Sequence, residues 1–504
     1  MKNMLFFILK NDKLSADTKG KDAWTVKEKI IGREKEIQRL DRVSREEEAQ
    51  LVIVYGRRRV GKTFLINQYF SGRFDFMLTG IYNQPKEMQL KGFITELNRQ
   101  TRMKQKPPAD WMDAFELLRI YLEGLSEIEN RVVFFDEMPW MDTQKSDFLP
   151  AFEWLWNSWA ASQSHLVFIV CGSATAWMRD HLDGNKGGLF NRQTCRIYLE
   201  PFTLHETECY LHQRGIEWTR YTMVECYMIF GGIPFYLRLL DPEISLNANV
   251  DQLLFQKRAE LWDEFEHLYR TLFSNSDQYI KIVQVLSQKK NGMTRKELIR
   301  ESRLPGNGDL SKMLSNLRDS GFVRVSKNFA NQREDIYQLA DYYSLFYFRF
   351  IQPYYGKDER FWSNGVDLPA RRAWAGLTFE QVCRDHVRQI KQKLGIGAVL
   401  SEESTCRFET ETIEEGETPG AQIDLLIDRR DQVINLCEIK YATDEYVIDK
   451  EDEASLRNKI ERLRKATKNR KSIQMTMITT YGVKQNKYSN LVNAQVTMED
   501  LFSL

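Results

Sequence analysis

An α/β fold with a parallel sheet is predicted by two features of the amino-acid sequence. Between about Ile30 and Leu204, apolar segments alternate with amphipathic ones, a pattern typical of parallel strands covered by helices on both faces. A glycine-rich loop, residues 56–63, lies between the first apolar segment and a helix-like one. Four strands are expected, at Leu51–Tyr55, Phe74–Leu78, Arg131–Phe135 and Leu166–Cys171.

The glycine-rich loop reads GRRRVGKT and fits the pattern G-x-x-x-x-G-K-[ST]. Its glycines let backbone N–H groups turn toward phosphate oxygens, and the following helix adds partial positive charge. Lys62 is expected to reach the β- and γ-phosphates, and Thr63 to ligate Mg²⁺. A glycine turn that fits by chance is the alternative. The residues expected to bind the nucleotide are Gly56, Arg57, Arg58, Arg59, Val60, Gly61, Lys62, Thr63 and Phe64.

Polar residues follow the third and fourth predicted strands. Asp136 is expected to hold Mg²⁺, mostly through water, and Glu137 to polarise the water that attacks the γ-phosphate. A plain solvated turn is the alternative for these two acids. Ser173, after the fourth strand, is expected either to contact the γ-phosphate or the attacking water, or to cap the next helix.

Two further positions are candidates around the nucleotide. Arg192 follows a segment with three glycines and is a candidate arginine finger, acting in cis or across a subunit contact. Its alternative is a surface arginine paired with a carboxylate. The three arginines of the loop, residues 57–59, are expected to steady it against acidic neighbours or to face a partner, and none is assigned a catalytic role.

Composition limits the classes of partner. With 72 Lys plus Arg and 71 Asp plus Glu, the formal net charge is +1, so nucleic-acid contact has to come from local patches. Seven dispersed cysteines without a C-x-x-C pair favour reduced thiols and a cytoplasmic location. No apolar run reaches the roughly 18 residues of a membrane span. Residues 1–28 are expected to be an N-terminal leader.

Several motifs together resemble the archaeal-type ATPase family, which is related to AAA+ and STAND ATPases. They are Gly32-Arg33-Glu34, the GRRRVGKT loop, the segment from Leu189 to Phe202, and Phe230–Leu237 with its Gly-Gly-Ile-Pro element. The resemblance implies a P-loop NTPase core over residues 29–215, with Gly32-Arg33-Glu34 on the adenine side, and a helical lid over residues 216–276. Pro234 is expected to set a helix start in that lid.

A winged helix-turn-helix is expected over residues 277–350, because three helices precede a hairpin. Thr294 and Glu297 form a predicted capping box at the second helix. The third helix offers Lys312, Asn316 and Arg318 as a groove-facing set. DNA binding and protein contact both remain open for this segment. Residues 351–377 are expected to be a linker.

A hairpin over residues 420–440 carries Asp424, Glu438 and Lys440. Carboxylates of this kind bind Mg²⁺, and the lysine could orient or deprotonate a water. The pattern resembles the PD-(D/E)xK nuclease superfamily, in the form attached to archaeal-type ATPases as domain of unknown function 234. The resemblance implies a restriction-endonuclease-like α/β domain over residues 378–504, with Asp424, Glu438 and the helix residue Glu380 as metal ligands and Lys440 as catalytic lysine. Gln422 departs from the acid often found there.

A basic helix follows the hairpin, between Arg457 and Lys471. It could track a phosphate backbone or simply remain a solvated face, because acidic residues are interleaved with the basic ones. The expected function of the whole chain is an ATP-binding, ATP-hydrolysing AAA+/STAND-type switch that uses Mg²⁺ and carries a nuclease-like domain. The alternatives are an ATP-controlled DNA-binding regulator, or a scaffold with an inactive nuclease-like domain. A homo-oligomer and a DNA partner are both compatible with the sequence.

Overall fold

The described part of the chain begins just before the first motif. In this computed structural model, the predicted leader, residues 1–28, lies outside the described residues. Residues 31–504 make up one unit, which contains every element described below. The described ranges are 29–102, 104–125, 130–183, 188–189, 191–289, 292–329, 331–413, 416–418, 420–468 and 470–504.

Five parallel strands form the first sheet, in the spatial order β2-β3-β4-β1-β5. They are β1 (Gln50–Tyr55), β2 (Phe76–Thr79), β3 (Arg131–Asp136), β4 (Leu166–Gly172) and β5 (Cys195–Tyr198). The predicted α/β class with a parallel sheet is confirmed. The four expected strands are present with small shifts of their ends, and β5 is a further strand at the edge beside β1.

The pairing register of this sheet brings three chain segments to the same edge. Tyr55 at the end of β1 pairs with Gly172 at the end of β4. Val170 on β4 in turn pairs with Phe135 on β3. Because the strands are parallel, the glycine-rich loop, Ser173 and the Asp136–Glu137 pair all follow strand ends at one edge.

Helices cover the sheet around a largely aromatic core. Phe135 on β3 packs edge-on to Phe168 on β4 with ring centroids 5.0 Å apart, and Phe152 contacts Phe168 at 5.3 Å. Burial of these rings supplies most of the driving force for holding helices on the sheet. The helices of this region are α1 (Glu34–Val43), α2 (Lys62–Tyr69), α3 (Lys86–Thr101), α4 (Trp111–Glu123), α5 (Phe148–Ser158) and α6 (Thr175–Met178).

A helical region follows the core. It comprises α7 (Leu204–Gln213), α8 (Arg220–Phe230), α9 (Pro234–Arg238), α10 (Leu246–Val250) and α11 (Glu264–Leu272). Pro234 stands at the start of α9, as expected, because its fixed φ suits the first turn of a helix. Among the described residues, no helix has the length and apolar character needed to cross a bilayer.

Short 3₁₀ and π turns interrupt or extend the regular elements. The 3₁₀ turns are Met138–Trp140, Ala160–Ser162, Ser489–Leu491 and Met498–Phe502, and the π turns are Arg179–Asp183, Asp251–Phe255 and Tyr347–Ile351.

The helix–hairpin unit, residues 276–339, contains the expected three helices and the expected hairpin. Its elements are α12 (Ser276–Ser287), β6 (Met293–Thr294), α13 (Arg295–Ser302), α14 (Gly308–Asp319), β7 (Val323–Asn328) and β8 (Asn331–Leu339). Thr294 and Glu297 form the predicted capping box. Asn316 differs from expectation: it is buried and its amide donates to the Tyr279 hydroxyl at 2.8 Å, so it does not face outward.

Helices then lead into the C-terminal unit. They are α15 (Tyr342–Phe346), α16 (Gln352–Tyr354), α17 (Phe361–Asn364), α18 (Pro369–Asp385) and α19 (Val387–Lys393). The boundary expected between residues 377 and 378 falls inside α18, which runs through it without a break. The last part of the predicted linker is therefore helical.

The C-terminal unit shares one sheet with the helix–hairpin unit. The order of the eight strands is β15-β14-β13-β12-β9-β7-β8-β6, and a parallel pair between Asn328 and Thr405 joins the two parts. The remaining elements are β9 (Ser401–Phe408), β10 (Glu411–Ile413), β11 (Gly416–Thr418), β12 (Ala421–Arg429), β13 (Val433–Lys440), α20 (Lys450–Ala466), β14 (Ser472–Thr479) and β15 (Ala494–Thr497). Strands β12 and β13 form the predicted antiparallel hairpin.

One glycine of the Gly-Gly-Ile-Pro element generates a test of the fold. Gly232 has φ +62°, and a Cβ there would lie 2.2 Å from the Phe202 carbonyl oxygen. Gly215 has φ +77° with open space around it. We expect Gly232→Ala to lower the melting temperature by roughly 4 °C or more beyond Gly215→Ala, because only the former adds a backbone clash to the strained φ. Equal melting temperatures in thermal unfolding of the two variants would contradict this.

Candidate nucleotide site and the C-terminal carboxylates

The glycine-rich loop adopts a backbone that its glycines make possible. Gly56 has φ +142°, and a Cβ at this position would lie 2.4 Å from the Leu199 carbonyl oxygen. Gly61, immediately before α2, has φ +92° and no heavy atom within 4 Å of a built Cβ. The loop therefore packs tightly against the sheet at its start and is open at its end, where the N-terminus of α2 favours an anion.

The Lys62 side chain lies under the loop. It is 5% exposed, and its ammonium donates to the carbonyl oxygens of Gly56 at 3.0 Å and Arg57 at 2.9 Å. These contacts place a buried positive charge at the concave side of the loop, where nucleotide phosphates would need it. The expected contact of Lys62 with the β- and γ-phosphates stays a prediction.

Thr63 and Asp136 meet across the edge of the sheet. The Thr63 hydroxyl lies 3.1 Å and 3.0 Å from the two carboxylate oxygens of Asp136. Burial raises the pKa of Asp136, and the neighbouring Glu137 charge raises it further. A hydroxyl and a carboxylate in contact beside a phosphate loop fit the donor set that Mg²⁺ prefers.

Ser173 holds Glu137 in place. Its hydroxyl lies 2.9 Å and 2.8 Å from the two carboxylate oxygens of Glu137, and its backbone N–H donates to one of them at 3.1 Å. The alternative role as a helix cap is not observed, because Ala174 stands at the N-cap of α6. The expected contact of Ser173 with the γ-phosphate or the attacking water stays a prediction, and its observed contacts orient Glu137, the acid that is expected to polarise water.

Arg192 lies away from the phosphate loop. Thr194, two residues later, donates to the Leu51 carbonyl near the start of β1, and β5 then runs parallel to β1. Arg192 therefore precedes the amino edge of the sheet, whereas the loop follows the carboxyl edge. The in-cis arginine finger is incompatible with this placement, since an extended strand of six residues separates the two edges. The Arg192 side chain is exposed.

The three arginine side chains of the loop point toward other regions of the chain. Arg57 forms a buried ion pair with Asp341, and the Arg59 guanidinium lies 2.6 Å from the Glu264 carboxylate. Arg58 donates to the Thr271 hydroxyl. Only the backbone of these residues is thus left for the predicted contact with phosphates. The sequence gives no signal for either acidic partner, because both lie far downstream. Phe64 in α2 is 36% exposed.

The segment expected on the adenine side lies next to the loop. The Arg33 guanidinium donates to the Val60 carbonyl at 3.4 Å and lies 4.7 Å from the centre of the Phe202 ring. Burial lowers the pKa of Arg33, although nearby Glu206 opposes this. A cavity of about 200 Å³ opens beside it, lined in part by Gly32, Arg33, Glu200, Thr203 and Glu206.

The predicted nuclease-like residues lie on neighbouring strands and one helix. Asp424 on β12 accepts a hydrogen bond from the Ile439 N–H on β13 at 3.0 Å. Glu438 is contacted by two ammonium groups, Lys440 at 3.2 Å and Lys459 at 2.6 Å. Lys459 comes from α20, the basic helix. At least one positive charge of that helix therefore contacts the carboxylate cluster instead of solvent.

The three carboxylates share a neighbourhood but do not form a metal-binding cluster. Burial raises the pKa of Asp424 to about 7, with further contributions from the charges of Glu438 and Glu380. Across the described ranges, no three His, Cys, Asp or Glu side chains converge as metal ligands. The expected metal site at Asp424, Glu438 and Glu380 stays a prediction. In this conformation Lys440 and Lys459 contact the two oxygens of Glu438.

The comparison with protein families identifies the N-terminal part of the chain. Residues 30–240 match a family described as an ATPase domain predominantly from Archaea. The chain is 20% identical over 367 residues to an uncharacterized protein of Methanocaldococcus jannaschii, which spans 72% of this chain and 78% of that protein. It is 44% identical over 44 residues to an uncharacterized ATP-binding protein of the same organism, spanning 9% of this chain and 75% of that protein.

Two archaeal proteins are among the solved structures to which the chain is similar. The Walker-type ATPase of Pyrococcus abyssi is 18% identical, with a TM-score of 0.46, and the alignment covers 64% of this chain and 96% of that one. The Aeropyrum pernix ORC2 protein, in complexes with ADPNP and ADP, is 13% identical with a TM-score of 0.41, over 73% of this chain and 98% of that one.

The raised pKa of Asp424 predicts a dependence of stability on pH. The Asp424 carboxyl stays protonated in the folded state up to about pH 7, whereas the usual pKa of an aspartate is 3.8. Its contribution to the free energy of unfolding is therefore complete below about pH 4 and is lost as pH rises through about 7. We expect Asp424→Asn, which cannot ionise, to gain melting temperature relative to wild type over that window. Asp428→Asn, on the same strand, is the matched control. If the melting temperatures of Asp424→Asn and wild type change with pH by the same amount between pH 4 and 8, the assignment is contradicted.

Proposed function

We propose that this protein is a switch in which ATP hydrolysis controls the position of the C-terminal parts. The chain belongs to the family of ATPase domains found predominantly in Archaea. The observation that carries this proposal is the contact of the Thr63 hydroxyl with both carboxylate oxygens of Asp136, next to the buried Lys62 ammonium. These are the groups that magnesium-dependent phosphoryl transfer requires.

Each residue of the site has a separate part in this proposal. Thr63 and Asp136 would hold Mg²⁺, which when bound draws negative charge from phosphate oxygens. The Lys62 ammonium would exchange its two carbonyl contacts for phosphate oxygens. The backbone N–H groups of the loop and of the first turn of α2 would bind the remaining phosphate oxygens.

Glu137 would accept the proton of the attacking water. Its carboxylate is oriented by the hydroxyl and the backbone N–H of Ser173, because β4 lies between β1 and β3 in the sheet. Ser173 thereby sits beside both the loop and the acidic pair. We assign it a positioning role through Glu137, in addition to any contact with the γ-phosphate.

Contacts between the core and the helix–hairpin unit support the coupling. Arg179, just after α6, forms an ion pair with Asp319 at the end of α14 and contacts the Ser315 hydroxyl at 3.4 Å. The Tyr198 hydroxyl, at the end of β5, donates to the Asp319 carbonyl at 3.3 Å. One face of α14, the helix expected to read DNA, thus contacts the ATPase core. A shift at the nucleotide site would change that contact.

Metal-dependent cleavage of nucleic acid is a second candidate function. It is favoured by the neighbouring positions of Asp424, Glu438 and Lys440 in the hairpin β12–β13. A metal ion could bind there only if an ammonium group leaves Glu438, and Lys459 is the one that comes from a different element. The remaining alternative is a regulator whose C-terminal unit binds DNA without cutting it. Arg192 would act as a finger only across a contact between subunits.

The ATPase proposal predicts different outcomes for three substitutions. Glu137→Gln is expected to bind ATP and to lose hydrolysis by about 100-fold or more, because it cannot accept the proton. Lys62→Ala is expected to lose binding itself. Ser173→Ala should fall between wild type and Glu137→Gln in kcat, with KM nearly unchanged. The measurements are equilibrium ATP binding and phosphate release with Mg²⁺.

The outcome for Glu137→Gln decides the assignment. Unchanged turnover in this variant would remove Glu137 from the mechanism. If the wild-type chain binds no ATP, with or without Mg²⁺, the proposed ATP-dependent switch is refuted.

The nuclease proposal is tested on plasmid and linear DNA with Mg²⁺ or Mn²⁺. We expect cleavage by wild type, loss of cleavage in Glu438→Ala and in Lys440→Ala, and retention in Asp428→Asn, a carboxylate of the same hairpin outside the cluster. Cleavage that survives both alanine substitutions would come from elsewhere. Its complete absence on every substrate would leave the regulator as the function of the C-terminal unit.

A further inference from the structure

The side chains of the phosphate loop connect the ATPase core to later parts of the chain. Two ion pairs, named here the arginine anchors, make this connection: Arg57 with Asp341, and Arg59 with Glu264. Asp341 follows β8 of the helix–hairpin unit, and Glu264 begins α11 of the helical region. Two loop positions that are one residue apart are therefore tied to two different structural regions.

The Arg57 anchor is buried and has several partners. Its side chain is 6% exposed and that of Asp341 is 2% exposed. The guanidinium also lies 5.0 Å from the centre of the Phe322 ring, just before β7. Asp341 is fixed in turn, since its second oxygen accepts from the Ser344 N–H at 2.9 Å and from the Ser344 hydroxyl. Both ends of the pair are thus held in one orientation.

The Arg59 anchor holds a residue whose backbone is unusual. Arg59 has φ +73°, in the left-handed region that favours glycine, although it carries a long side chain. Its guanidinium lies 2.6 Å from the Glu264 carboxylate and 4.0 Å from the centre of the Phe235 ring. The Tyr236 hydroxyl donates to the other oxygen of Glu264 at 2.8 Å. Contacts outside the loop therefore stabilise a strained loop conformation.

Stability alone is a poor explanation for the arginine anchors. Removing two charges from water costs about as much as their attraction returns, and apolar residues of similar volume often stabilise a fold equally well. Ion pairs do, however, fix the orientation of the groups that they join. At a loop whose backbone N–H groups must converge on phosphates, orientation is the property that matters.

We propose that Asp341 and Glu264 are positioning residues of the nucleotide site, which act through Arg57 and Arg59 to set the conformation of the phosphate loop. The affinity of the loop for ATP then depends on the docked positions of the helix–hairpin unit and of α11. Reciprocally, ATP bound in the loop stabilises those positions by the same free energy. The proposal rests on the ATP binding described above.

The kinetic signature follows from where the anchors act. The loop contacts the phosphates equally in the ground state and in the transition state. Loss of an anchor therefore weakens binding of both states by the same free energy. We expect Asp341→Asn and Glu264→Gln to raise the KM and the dissociation constant for ATP about tenfold, while kcat changes less than about threefold.

Two further variants separate positioning from folding. In the double variant Arg57→Met/Asp341→Leu, apolar side chains replace the buried pair, so the chain should still fold while ATP affinity remains about tenfold lower; its melting temperature should fall only by the loss of the Asp341 cap on the Ser344 N–H. Glu225→Gln is the matched control, because Glu225 pairs with the largely buried Arg371 at 3.6 Å and neither residue touches the loop. It should lower the melting temperature without changing the KM.

The experiment measures ATP and ADP binding, steady-state hydrolysis and thermal unfolding for all variants. Unchanged ATP affinity in Asp341→Asn, Glu264→Gln and the apolar double variant would overturn the proposal. If Asp341→Asn does not fold, Glu264→Gln and the double variant decide, since the Arg59 side chain is 23% exposed and can be solvated when its partner loses its charge. Failure of wild type to bind ATP would instead refute the nucleotide site itself, so the two failures are distinguishable.

Discussion

The parallel register of β1, β4 and β3 is the constraint on which the nucleotide site depends. It sets the phosphate loop, Ser173 and the pair Asp136–Glu137 side by side at one edge of the sheet. The Thr63 hydroxyl then lies within hydrogen-bonding distance of Asp136, and the Ser173 hydroxyl within hydrogen-bonding distance of Glu137. A slip of a single residue between β1 and β4 would move Thr63 away from Asp136, and a slip between β3 and β4 would separate Ser173 from Glu137.

The site is completed by parts of the chain that are not in the ATPase core. Asp341, just after the helix–hairpin unit, and Glu264, in the helical region, form ion pairs with arginines of the loop. Under the proposal above, the ATPase core and these regions are coupled through the loop. A substitution at Glu264 in α11 would then change phosphate binding, although no sequence motif in that helix indicates it.

Much of the nucleotide site could be predicted because its motifs are local. The loop, the acidic pair after β3 and the start of α9 at Pro234 each follow from a few consecutive residues and the expected strand or helix. The hairpin β12–β13 was predictable for the same reason. What the sequence could not supply are partners across long separations, such as Asp341 for Arg57. Many carboxylates in the sequence could pair with a given arginine, and side-chain chemistry alone does not distinguish between them.

Two expected sites are changed in detail by the structure, and the reasons are physical. Arg192 looked like a finger because glycines precede it, but strand direction places it before the amino edge of the sheet. The carboxylates of the C-terminal unit were expected as metal ligands, yet Lys459 from a separate helix reaches Glu438 first. In both cases the deciding fact was the direction or proximity of an element, which periodicity does not encode.

The seam between the helix–hairpin unit and the C-terminal sheet has a consequence for aggregation. Strand β9 would be an edge strand of that sheet if β7 were not beside it, and near Thr405 the two strands are joined by one register pair and by the Phe329 N–H, which donates to the Thr405 carbonyl at 3.0 Å. Any movement that parts them leaves unpaired backbone groups on β9. Unpaired groups of this kind can pair with a strand from another chain, so the pairing of β9 with β7 covers an edge at which strands of different chains could join.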